Sequence, residues 1–155
     1  MARILHGSVE LQRPEQNWSV YFEFVDGGPS DAVFTVMGED AIIVGKAGRF
    51  VTSRRADVQP ITLVGWVEGQ GATHAAKRED YFALMDELAA VWSPDLEPSL
   101  LEVYAPVDGV PEGLVASLNA RFLRRTGPTK DGEFFRRMTV YLECVDDPPV
   151  WVLGT

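Results

Sequence analysis

The sequence predicts an α+β fold: an antiparallel β-sandwich or sheet packed with one long α-helix, residues 73–92, and ending in a long C-terminal β-hairpin. Three observations predict it. Met138, Val140, Leu142 and Cys144 alternate with Thr139, Tyr141 and Glu143, the period of a half-buried strand. A single stretch, THAAKREDYFALMDELAAVW, carries apolar residues at the helical spacing instead. Clusters of Gly, Pro, Asp and Ser punctuate the remaining apolar runs, as turns do. The 155 residues hold no internal repeat, low-complexity tail or dividing linker, so residues 1–155 are expected to form one domain.

In NWSVYFEFV (17–25), Trp18, Val20, Phe22 and Phe24 fall on one face of a strand and Ser19, Tyr21 and Glu23 on the other. DGGPSD (26–31) has the chemistry of a turn, so AVFTVM (32–37) is expected to fold back on that strand as a hairpin. AIIVG (41–45) is short and apolar, and GRFVTSRR (48–55) reads as a further strand or an exposed arm. PITLVGWVEG (60–69) places Ile61, Leu63 and Val67 on one side and Val64 and Trp66 on the other. Apolar residues on both sides predict burial on both faces, in the core or against another subunit.

GQGATH then breaks the strand, and Thr73 can cap the helix that follows. Its stripe is Tyr81, Leu84, Met85, Leu88, Val91 and Trp92, opposite Lys77, Arg78, Glu79, Asp80, Asp86 and Glu87. The rod is roughly 28 Å long, and Ser93–Pro94 ends it. SLLEVYAP (99–106) is a strand and VDGVPEG (107–113) a connection. LVASLNARFLRR (114–125) and FFRRMTVYLECV (134–145) then form the long hairpin around a turn at 126–133. Asp147–Pro148–Pro149 ends the ladder, because proline donates no N–H and restricts the residue before it. Trp151 lies beyond that break, where its ring needs either its own core or a neighbour to cover it.

Composition narrows the function classes. Acids outnumber Lys and Arg 23 to 14, a net charge of −9, whereas duplex nucleic acid is held mainly by cations that displace counterions from phosphate. No apolar run approaches the ~18 residues of a membrane span. The start, MARILHGSVELQ, lacks a basic region followed by an apolar one, so no secretory signal is expected. Cys144, the lone cysteine, sits on an apolar strand face, as a buried hydrophobe in a reducing compartment would.

Catalytic patterns are missing from the sequence. His6 and His74 belong to no metal-ligand spacing, and a zinc site needs more ligands than they and Cys144 supply. GEDAIIVGKA (38–47) is not a phosphate loop: six residues separate Gly38 from Gly45 where the motif has four, and Ala47 replaces its Ser/Thr. No enzyme, cofactor or metal is expected.

A charge asymmetry remains. Arg121, Arg124, Arg125, Lys130, Arg136 and Arg137 are six of the fourteen basic residues, all inside the proposed hairpin. In an acidic molecule they could dock against another subunit's acids. With Trp66 and Trp151, the arginines Arg121, Arg124, Arg125, Arg136 and Arg137 are the candidate subunit-interface residues.

The order of elements, with Ile61, Leu63 and Gly65 in ITLVGWVEGQG, a helix carrying ALMDEL, and a hairpin ending in RRMTVYLECVDDPPVW, resembles the distal tail (Dit) proteins of long-tailed bacteriophages over residues 40–151. Asp147, Pro148 and Trp151 match the family's late "D-P" and aromatic, although Pro149 and Val150 intervene here. The resemblance implies a ring-forming, non-enzymatic virion protein, a hexamer at the tail's distal end. Its partners would be its own copies, the tail-tube protein and the tail-tip or baseplate hub. DNA would pass through it without specific binding, and the protein would be made in the host cytoplasm. A tail-tube or tail-terminator ring protein shares the related fold and is one alternative. A non-catalytic monomeric binding module is the other.

Overall fold

The computed structural model describes residues 3–29, 34–42, 49–58, 60–147 and 149–154, with the backbone alone over 34–42, 49–58 and 127–131. The main sheet has the order β2 (Val9–Glu10), β1 (Arg3–His6), β7 (Ser99–Val107), β8 (Val110–Gly132), β9 (Phe135–Cys144), β6 (Ile61–Glu68) and β3 (Val20–Asp26). Every pairing is antiparallel.

The two ends of this order meet. Residues 11–13 run on from β2: the Leu11 N–H reaches the Ile4 carbonyl at 2.9 Å on one side, and Phe22 N–H reaches the Leu11 carbonyl at 2.9 Å on the other. Arg13 N–H bonds the Val20 carbonyl, and Gln12 bridges Tyr21. The sheet therefore closes on itself as a barrel, with residues 11–13 covering the first half of the outer edge of β3. Of the two arrangements expected, sandwich or sheet, the described residues form one closed eight-stranded sheet and, apart from it, a two-stranded one.

Alternation puts one side chain in two into the barrel. Val20 and Phe22, Ile61, Leu63 and Val67, Leu118 and Ala120, and Met138, Val140, Leu142 and Cys144 are all buried there. Each large apolar side chain contributes about 1.5–3 kcal/mol by leaving water. The opposite face of β6 is not buried: Val64 is 38% exposed and Trp66 half-buried. Within the chain the outer face of this strand is not core, because the closed sheet has only one interior. Of the two expectations for Val64 and Trp66, burial in the core is corrected, and cover by another subunit stays a proposal.

Helix α1 (His74–Ala89) crosses the barrel end where β6 finishes and β9 begins. Thr73 caps it, its side-chain oxygen accepting the Ala76 N–H at 3.1 Å. Tyr81, Leu84, Leu88 and Trp92 fall on one face and are buried in the barrel core. The helix ends before Ser93–Pro94, but Trp92 N–H still bonds the Leu88 carbonyl at 2.7 Å. Gly69 makes the junction possible, since a Cβ there would stand 2.2 Å from the Lys77 carbonyl oxygen.

Several boundaries differ from the sequence reading. Strand β4 (Phe34–Ile42) pairs with β5 (Arg49–Val58), not with β3, and the two form a separate hairpin. Trp18 lies outside β3, because Asn17 and Trp18 both adopt left-handed backbone, φ 51° and 59°. The turn expected at 126–133 is mostly strand: β8 runs on to Gly132, with register shifts that absorb the glycine and proline. Beyond β9, the Asp146 carboxylate accepts the Asn119 backbone N–H at 2.8 Å and its side-chain amide at 3.0 Å. The chain then rejoins β8 as β10 (Val152–Leu153).

Candidate subunit-interface surfaces

Tyr21, Trp66 and Arg137 are register partners on β3, β6 and β9, and they form one row on the outside of the barrel. The Tyr21 and Trp66 rings stack with centroids 4.8 Å apart, and Trp18 meets Tyr21 edge-on at 5.3 Å. Trp66 Nε1–H donates to the Trp18 carbonyl at 3.0 Å, which holds the left-handed pair at 17–18 in place. Tyr21 donates its hydroxyl to Glu23 at 2.9 Å, and that bond to a carboxylate pushes the phenol pKa up. With Val64 and Phe135 these rings line an open groove of about 570 Å³. Rigid aromatics in such a groove are what protein interfaces use as anchors.

The basic hairpin is not one patch. Arg136 and Arg137 are adjacent, so they point to opposite faces of β9. Arg137 joins the aromatic groove, its guanidinium 5.8 Å from the Phe135 ring centroid. Arg121 is paired within the chain, its Nη2 2.6 Å from Glu143 Oε2, and Arg124 lies over the Tyr141 ring at 4.4 Å. Arg124 and Arg125 also border a cavity of about 520 Å³ beside α1, floored by Met85, Leu88 and Trp92. Arg136 borders a second one, of about 550 Å³, with Arg78, Tyr81, Phe82 and Phe134. Met85 lines both, so the two adjoin along the helix, and together they are called the α1 groove.

Trp151 covers its own barrel. Its ring meets Phe24 edge-on at 5.7 Å, and its Nε1–H donates to the Gly27 carbonyl at 3.0 Å. One indole beyond β9 is thus packed against β3 and the turn that follows it.

The titratable groups inside the fold are engaged structurally. Trp92 Nε1 can only donate, so at 3.0 Å it fixes His6 Nδ1 as the acceptor. His6 Nε2 then carries the proton and donates to the Ala120 carbonyl at 3.0 Å. Burial pushes the His6 pKa down, against the raising effect of the Ala120 and Ser99 carbonyls. Cys144 lies opposite Ala120 on β9, and burial pushes its thiol pKa up. With both imidazole nitrogens occupied, His6 offers that thiol no base. His74 stands 3.4 Å from Glu133 and against the Phe134 ring. Among the described residues, no three His, Cys, Asp or Glu side chains gather as a metal site, and no helix is long and apolar enough to cross a membrane.

Two features escaped the sequence reading. The left-handed Asn17–Trp18 pair presents Trp18 on the outer groove instead of in the core. The α1 groove combines residues from separate segments, which only the closed sheet brings together. Arg136 facing away from Arg137 was legible in the strand period.

No protein-family model matches the sequence, and no curated protein matches it. Among solved structures, the fold is similar to that of the phage SPP1 Dit protein, described as a paradigm of the hub adsorption apparatus in phages that infect Gram-positive bacteria. The TM-score is 0.55 at 15% identity, over 94% of this chain and 50% of that one. The chain thus spans about half the length of the SPP1 protein. It is also aligned, at a TM-score of 0.47 and 10% identity, with a chain of the sheath–tube complex of an extracellular contractile injection system. That alignment covers 94% of this chain and 84% of the other. At 15% identity, the SPP1 likeness is one of fold.

Proposed function

We propose that this chain is a structural subunit of a long bacteriophage tail, without catalytic activity. It forms a hexameric ring at the distal end, joins the tail tube to the baseplate or tip, and surrounds the path of the DNA. The observation that carries this reading is the fold shared with the SPP1 hub protein along 94% of the chain. Physical features agree with it. The molecule carries −9, so a wall built from it repels phosphate and lets a genome pass. The arginine-bordered groove along α1 is a surface of the kind that a head-to-tail ring interface pairs with a different patch of the next copy. The partners would be further copies of the chain, the tube protein above and the hub below, in the tail of the virion.

The tube and terminator positions of the same tail remain alternatives within this reading. One observation favours a different class: the Trp18–Tyr21–Trp66 groove could hold a ligand on a monomer. Light scattering with negative-stain imaging separates the two classes. Closed rings support the tail subunit, and a monomer at every concentration supports the binding module.

A further inference from the structure

The strand polarities place two unlike features at opposite ends of the barrel. At one end lies the helix groove, where β6 finishes and β9 begins. At the other, β7 turns into β8 through Asp108 and Gly109. We propose that the β7–β8 tip of one copy seats in the N-terminal half of the α1 groove of the next. This contact rests on the reading that the chain assembles with itself, and it names the two surfaces that meet.

The tip has the form of a plug. Val107 and Val110 close the turn as register partners, and both are nearly half exposed, at 44% and 48%. Gly109 has φ +77°, and a Cβ built there meets nothing within 4 Å, so the turn stands clear of its own barrel. Glu112 is engaged by Arg3 at 2.7 Å. Asp108 is therefore the carboxylate that the tip presents between its two valines.

The groove has the complementary chemistry. Tyr81, Phe82 and Met85 supply an apolar wall, and Phe82 is 57% exposed although it is a phenylalanine. Arg78 and Arg136 supply two cations against one carboxylate in the lining, Glu133, which stands 3.4 Å from His74. Arg136 Nε is buried with no hydrogen-bond partner among the described residues. A carboxylate reaching the outer nitrogens of that guanidinium makes a charge-assisted bond. The valines of the tip cover Phe82 while Asp108 meets Arg136. Because tip and groove are different patches, the contact is heterologous: it closes into a ring if the rotation between copies closes and extends as a stack if it does not.

Cysteine pairing tests this directly. Val110→Cys and Phe82→Cys change exposed residues at opposite ends of one barrel, so a disulfide between them must join two chains. Mild oxidation of the mixed single variants should give a cross-linked pair that neither gives alone, and the double variant should give a ladder. Asp108→Asn should weaken self-association tenfold or more. Rings that assemble without the mixed cross-link would overturn this contact and leave the ring reading standing. A monomer at every concentration, with no cross-link, would overturn both.

Discussion

Replacing Trp92 with phenylalanine isolates one interaction that ties α1 to the barrel. The new ring keeps the edge-on contact with Phe22, now at 4.9 Å between centroids, but loses the N–H that reaches His6 Nδ1. His6 is 1% exposed, so no bulk water replaces that donor. Leaving a buried acceptor unsatisfied costs about 1–3 kcal/mol. At about 2–4 °C per kcal/mol for a domain of this size, Tm should fall by several degrees. The assay is urea unfolding of wild type, Trp92→Phe, His6→Leu and the double variant. A coupling energy near 1 kcal/mol or more shows that the bond itself matters. Coupling below about 0.5 kcal/mol refutes the reasoning, whatever the single variants cost.

The same site sets a pH dependence. Burial holds the folded His6 pKa below its ordinary value of 6.5, so the unfolded chain binds the proton first. The stabilisation is complete above pH 6.5 and is lost as pH falls from there toward the folded pKa, by at most about 1.4 kcal/mol per pH unit. The slope should be absent in His6→Leu.

Two further outcomes are expected. Trp66→Ala removes a half-buried ring and its stack with Tyr21, so it should cost roughly 2 kcal/mol, below the 3–5 of a fully buried tryptophan; urea unfolding measures this, and an unchanged midpoint together with unchanged assembly removes Trp66 from both core and interface. The isolated protein should show no measurable duplex DNA binding at physiological salt in a gel-shift titration, whereas micromolar affinity falling steeply with salt would show that its arginines face DNA.

Local patterns were legible in the sequence, and long-range pairings were not. The helix stripe at Tyr81, Leu84, Leu88 and Trp92 and the cap at Thr73 follow from spacing and residue type, which act within a few residues. The inward rows of β6 and β9 follow from alternation. Turn chemistry at 26–31 marked where β3 ends but not its partner. A strand's partner is chosen by closure of the whole barrel, and β3 takes β6, while β4 pairs with β5. Gly127 and Pro128 looked like a turn, yet bulges let β8 continue past them. The same division holds for the candidate interface residues: residue types nominated Trp66 and the arginines, but alternation and bulges distribute those arginines over different surfaces. The groove along α1 depends on tertiary assembly and could not be read from spacing.

The mass and shape of the purified protein in solution test the central claim most directly. Closed rings with an open centre are expected in negative stain, with a mass that is a ring multiple of the 17.1 kDa chain. A particle of 17.1 kDa at every concentration tested, with no rings on the grid, would contradict it.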